Sequence, residues 1–117
     1  MKQPVLCVAA AVASLMAPAF ALAAPPQEIA VAVTLRDHRF EPASVTVPAG
    51  VKVRINLTNL DPATEEFDSH DLKVEQLVTP HGRASFTVGP LTAGSYAFMG
   101  EFHPATAQGR VTVASGN

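Results

Sequence analysis

One cysteine, no tryptophan and a single tyrosine are all that these 117 residues offer of the side chains on which protein redox chemistry commonly relies. The cysteine, Cys7, lies within an apolar run from Val5 to Leu22, preceded by Lys2 and followed by the small residues Ala21-Leu22-Ala23. That pattern predicts a secretory signal peptide over residues 1–23 and one exported domain over 24–117. Pro18 interrupts the run and Ala24-Pro25-Pro26 follows it in place of a basic stop-transfer segment, so a permanent membrane anchor is the weaker reading. Cys7 has no small-residue spacer before it and does not fit a lipidation site. Without Cys7 the mature chain has no disulfide and no thiolate to offer a metal.

Positive charge is also scarce. Removing Lys2 with the leader leaves seven Lys and Arg against ten Asp and Glu, a net charge of −3, with no basic cluster and no aromatic residues interleaved with one. Nucleic acid is therefore not an expected partner. No segment has a sustained helical period. The 94 residues that remain suffice for one domain burying roughly 60–70% of its unfolded surface.

What is present is alternation. Ile29, Val31, Val33 and Leu35 predict a first strand, and Arg36-Asp37-His38-Arg39 a polar turn. Phe40-Glu41-Pro42 begins an extended segment, Val45 and Val47 mark a short strand, and Pro48-Ala49-Gly50 ends it. Val51, Val53, Ile55 and Leu57 alternate with polar residues, as in a surface-facing antiparallel sheet. Residues 60–71 hold five acids, Asp61, Glu65, Glu66, Asp68 and Asp71, and read as a loop and short connection. Leu72, Val74 and Leu77 fit either a strand or a helical turn. Ala84 to Val88 reads as a strand, and Leu91 to Tyr96 as a tyrosine corner at the edge of a Greek key. About seven short strands separated by Pro and Gly turns predict an all-β Greek-key sandwich.

The text most suggestive of chemistry is Ser95 to Val113, two strands around a loop with Met99, Glu101 and His103. Together with Phe40-Glu41-Pro42, Val47-Pro48-Ala49-Gly50, Asn59, Tyr96-Ala97-Phe98 and Gly109-Arg110-Val111-Thr112-Val113, it resembles a cupredoxin over most of the mature chain. In that family a strand ending in Tyr-x-Phe-x-Cys leads to a loop supplying Cys, His and Met to copper, with a second His further upstream. Here His103 matches the loop His, Gly100 stands at the Cys position, Ala107-Gln108 in the Met region, and Glu65-Glu66 near the upstream His. A blue-copper centre requires the thiolate, so the departure excludes one.

The chain is more similar to cupredoxin-like proteins associated with bacterial high-affinity iron permeases, through Glu65-Glu66-Phe67-Asp68-Ser69 and Gly100-Glu101-Phe102-His103-Pro104-Ala105-Thr106-Ala107-Gln108-Gly109. That resemblance implies a periplasmic protein binding iron or copper for iron uptake, with a permease or another uptake component as partner. A ferroxidase and a metal-free interaction domain are the alternatives, and a homodimer closing on the metal loop is compatible with the chain. The expected ligands of a divalent ion are Glu66, Glu101 and His103, with Glu65, Met99 and Glu75 as secondary candidates. Glu66 is preferred because it directly precedes Phe67, where the upstream ligand of the resembled family sits, while strand alternation leaves Glu65 open. Two carboxylates and an imidazole suit Fe(II), Mn(II), Zn(II) or Cu(II) rather than Cu(I). His38 and His70 read as rim residues with an accessory-ligand role as the alternative, and His81 as a solvated turn residue.

Overall fold

The computed structural model describes residues 1–20 and 27–115. Residues 1–20 have no regular structure and are exposed, and the expected cleavage point after Ala23 lies outside the described residues. No helix among the described residues is long and apolar enough to cross a membrane.

Among the described residues nine strands form two sheets: β1 Glu28–Arg36, β2 Arg39–Glu41, β3 Ser44–Pro48, β4 Lys52–Asn59, β5 Glu65–Ser69, β6 Val74–Val78, β7 Arg83–Val88, β8 Gly94–Gly100 and β9 Gln108–Ala114. One sheet has the order β2-β1-β4-β7 and the other β3-β9-β8-β5-β6. The all-β sandwich is as expected, with two corrections of detail. Both sheets are mixed, because β1 pairs parallel with β4 and β3 parallel with β9. The alternation in β4 therefore marks a half-buried strand and does not specify an antiparallel neighbour.

The second correction concerns the acid-rich window. Glu65 to Ser69 is a strand, paired with β6 on one side and β8 on the other. Its inward residues are Glu65, Phe67 and Ser69, so two of three core-facing positions are polar and the usual apolar signature is missing. In β6, Val74 and Val78 turn toward the core while Leu77 points out and is exposed, which settles that segment as a strand.

The core lies between the sheets. Val33, Leu35, Val53, Ile55 and Leu57 from one face meet Val47, Phe67, Val78, Val111 and Val113 from the other. Phe67 is the aromatic hub, with ring centroids 4.6 Å from Phe98, 4.9 Å from Phe86 and 5.8 Å from Phe40. The tyrosine corner is present: the Tyr96 hydroxyl donates to the Thr92 carbonyl at 2.8 Å. These contacts fix the positions of β5 and β8, whose ends carry the polar residues considered next.

Candidate metal centre

The β1–β2 connection is a two-residue turn in which Arg36 pairs with Arg39. Asp37 and His38, at its centre, have φ of 51° and 57°. Positive φ at both central positions defines a type I′ turn, whose twist matches the flanking strands but which disfavours residues with a Cβ. The Asp61 carboxylate offsets that cost, accepting the Asp37 amide at 2.7 Å and the His38 amide at 2.9 Å. Asp61 is itself held: its amide donates to Asn59 Oδ1, and Asn59 Nδ2 donates to the Ala63 and Thr79 carbonyls. Burial acts to raise the Asp61 pKa, but the two amide hydrogen bonds and the neighbouring His38 and His103 charges outweigh it and hold the carboxyl below its ordinary value.

Glu65 enters from β5 as a nearly fully buried carboxylate. Oε1 accepts the Phe102 amide at 2.8 Å and the Glu66 amide at 3.1 Å, and Oε2 meets His103 Nδ1 at 2.5 Å. His103 lies in the loop after β8, closed by hydrogen bonds from its amide to the Gly100 carbonyl and from the Ala107 amide to the His103 carbonyl. Its ring stacks on that of His38, with centroids 3.6 Å apart and planes 11° from parallel. His38, Glu65 and His103 each bring a donor atom within 4.8 Å of the other two. With Nδ1 of His103 on Glu65, Nε2 is its nitrogen left for a further ligand.

Gly100 gives the carboxylate its place. A Cβ at that position would lie 2.7 Å from Glu65 Cδ and 2.7 Å from the Ala107 methyl. The space into which a side chain at position 100 would project is therefore filled by Glu65, a carboxylate where the resembled family carries a thiol.

The expected ligand set is not assembled as one site. Successive residues of a strand point to opposite faces, so with Glu65 turned inward Glu66 is turned out. There it joins Asp68 and Glu101 in a second, separate group of carboxylates. Glu75 faces Asp68 from β6, and Met99, exposed, is Asp68's partner on β8. The expected ligands are divided: Glu66 and Glu101 meet in the outer group, and His103 meets the secondary candidate Glu65 in the inner one. His38, read as rim, joins them, and Asp61 was not foreseen at all. His70 and His81 stay exposed, in keeping with the surface reading.

Partial desolvation, followed by repulsion from Glu101, Glu75 and Asp68 and a hydrogen bond with Glu101, raises the Glu66 pKa. A carboxyl with a raised folded pKa lowers stability above that value, and the penalty disappears as pH falls below the unfolded pKa. Glu66→Gln is therefore expected to raise the melting temperature at about pH 7 and to match the wild type below about pH 4, as followed by thermal denaturation across that range. An equal difference at both pH values would contradict it.

A Greek-key sandwich with histidines and a buried carboxylate gathered at the end of β8, and no thiolate among them, defines a cupredoxin fold without a blue-copper ligand set. Residues 5–113 match the cupredoxin-like domain family, and the chain belongs to that family. An uncharacterised protein of Rickettsia prowazekii (strain Madrid E), RP394, is 43% identical over 83 residues, which cover 71% of this chain and 66% of that protein, just under two thirds of its length. The metal-binding domain of the Cu(I)-exporting P-type ATPase CopA of Streptococcus pneumoniae D39, solved with Cu(I), superposes with a TM-score of 0.68 at 13% identity, over 80% of this chain and 92% of that one. Auracyanin A, a blue copper protein of Chloroflexus aurantiacus, gives 0.65 at 15% identity, over 74% and 99%. The purple cupredoxin of Nitrosopumilus maritimus gives 0.56 at 19%, over 71% and 98%. At these identities the likeness to the solved structures is one of fold.

Proposed function

We propose that this chain is a periplasmic metal-binding protein that holds iron or copper for a high-affinity iron-uptake system, with His38, Glu65 and His103 as the ligand set. The observation that carries the reading is the approach of two imidazoles and one buried carboxylate within 4.8 Å of one another. Two histidines and a carboxylate leave coordination positions open and suit Fe(II), Cu(II) or Zn(II), whereas Cu(I) prefers sulfur ligands. That auracyanin A, a blue copper protein, shares this fold supports metal binding, and the donor chemistry here favours a divalent ion. The iron-permease partner and the periplasmic location rest on the resemblance of the Glu65–Ser69 and Gly100–Gly109 motifs and on the expected leader.

As they stand, the two rings lie in nearly parallel planes, so their in-plane lone pairs do not converge on one point. Capture of an ion therefore requires one ring to turn. His38, on a hairpin tip with its side chain 41% exposed, is the ring with room to do so, while His103 is held through Nδ1 by Glu65. The open positions also support the second reading, oxidation of bound Fe(II) to Fe(III), which the carboxylate would favour by stabilising the higher charge.

Calorimetric titration with anaerobic Fe(II), Cu(II), Mn(II) and Zn(II) tests the assignment. One ion is expected per chain, with affinity lost in His38→Ala and His103→Ala and retained in Glu66→Ala and Glu101→Ala. Loss in the last two alone would move the site to the outer carboxylates, and no binding by the wild type would leave an interaction domain. Oxygen consumption with Fe(II) separates carrier from ferroxidase.

A further inference from the structure

We propose that Asp61 is the positioning residue of this centre: by holding the amides of Asp37 and His38 it places the His38 imidazole against that of His103. The proposal deepens the metal-binding reading and rests on it only in its second readout.

A type I′ turn is most readily built from Asn-Gly or Gly-Gly, yet here both central residues carry side chains and left-handed backbone, which their Cβ atoms disfavour. Strain of this kind persists only where the surroundings over-determine it. They do so here. Asp61 is 5% exposed and gives one carboxylate oxygen to each of the two turn amides. Oδ2 also lies 3.6 Å from His38 Nδ1, so the same group faces both the backbone and the ring of His38. Asp61 cannot drift, because its amide is held by Asn59 and its carbonyl accepts the His81 amide at 3.0 Å. The frame runs without a gap from the end of β4 through Asn59 and Asp61 to the turn, and His38 is the turn's only imidazole. A turn held solely for stability would be served as well by glycine at either central position. The residue retained at the second position is the one that stacks on His103.

The test separates placement of the ring from stability of the turn. Asp61→Ala removes the anchor, and Asp37→Gly in the same chain relieves the backbone strain. The first readout needs no metal: nuclear Overhauser contacts between the His38 and His103 rings, with their ring-current shifts. They are expected in the wild type and in Asp37→Gly, and lost in Asp61→Ala/Asp37→Gly even as that double variant regains part of the melting temperature that Asp61→Ala loses. The second readout is Cu(II) or Zn(II) affinity, expected to fall about tenfold or more in the double variant. If the alanine variants do not fold, Asp61→Asn, which keeps one acceptor oxygen for two amides, is expected to weaken the ring contacts. Ring contacts that survive in the double variant, or in Asp61→Asn where that variant stands in, would overturn the proposal. So would an affinity that recovers together with the melting temperature. A wild type that binds no metal would defeat the metal-binding reading and leave the ring contacts to decide the role of Asp61.

Discussion

Replacing Glu65 with alanine is expected to cost about 3–5 kcal/mol of folding stability and to abolish metal binding. The carboxylate is 1% exposed and engages three donors, the Phe102 and Glu66 amides and His103 Nδ1. Truncation leaves those donors short of an acceptor and opens a void beside Gly100, and an unpartnered buried polar group loses the full value of its hydration. Glu65→Gln separates the two effects. Its amide oxygen still accepts from the backbone, so the fold is expected to survive with a modest fall in melting temperature. Its NH2 group now faces His103 Nδ1, which must present a lone pair there and carry its proton on Nε2. Metal affinity is therefore expected to drop by about 10–100-fold in a protein that still melts cooperatively. Wild-type affinity in Glu65→Gln, measured by calorimetry, would remove Glu65 from the centre.

Gly100→Ala is expected to be the next most damaging change, at about 1–3 kcal/mol. The added methyl would sit 2.7 Å from the Ala107 methyl and 2.7 Å from Glu65 Cδ, well inside van der Waals contact. Of these, the Glu65 head is the end of a flexible side chain, whereas Ala107 is fixed by the loop through its hydrogen bonds with Gly100 and His103. The carboxylate is thus expected to withdraw, carrying the His103 contact with it, so the variant loses metal affinity as well as stability. Denaturant unfolding of Gly100→Ala, Glu65→Ala and the double variant checks the mechanism. Because the two substitutions meet in one volume, the penalty for Gly100→Ala is expected to be smaller in the Glu65→Ala background, with the Ala107 contact as the remainder. Equal penalties in both backgrounds would mean that the two positions do not share the space.

The same pair of residues shows where the sequence was informative and where it was not. Strands with apolar inward faces, such as Val53-Ile55-Leu57 in β4, are legible because period-2 alternation follows directly from the pleat. Tyr96 was legible for its position after a Gly turn, and His103 for its place in a recognisable loop. β5 was obscured because Glu65 and Ser69 occupy core-facing positions, so an inner strand resembles a solvated acidic loop. One signal was available all the same. Phe67 is fully buried, and in any strand reading an inward Phe67 forces Glu65 inward and Glu66 outward. Adjacency to Phe67 pointed to Glu66, whereas the spacing of two turns Glu65 to the inner face.

His38 and Asp61 are a different case. Asp37-His38 lacks the Asn-Gly signature of a two-residue turn, and Asp61 stabilises it across 24 residues of sequence. Nothing local in either segment records that contact. It follows from the pairing of β1 with β4, which brings Leu35 beside Asn59 and so sets the turn near Asp61. Residues whose role is to hold another residue's backbone leave little trace in periodicity or composition.

In the proposed centre the metal is held by His38 and His103 on the inner side of β5 and not by the carboxylates on its outer side. The two groups differ in nitrogen, because Glu66, Asp68 and Glu101 offer only oxygen. Electron paramagnetic resonance of the protein carrying one equivalent of Cu(II) tests this most directly. The expected spectrum shows hyperfine coupling to two nitrogens, reduced to one in either His38→Ala or His103→Ala, and the optical spectrum of the same sample lacks the intense visible absorption of a copper–thiolate bond. A copper signal with no nitrogen coupling, or one that neither substitution changes, would place the metal elsewhere.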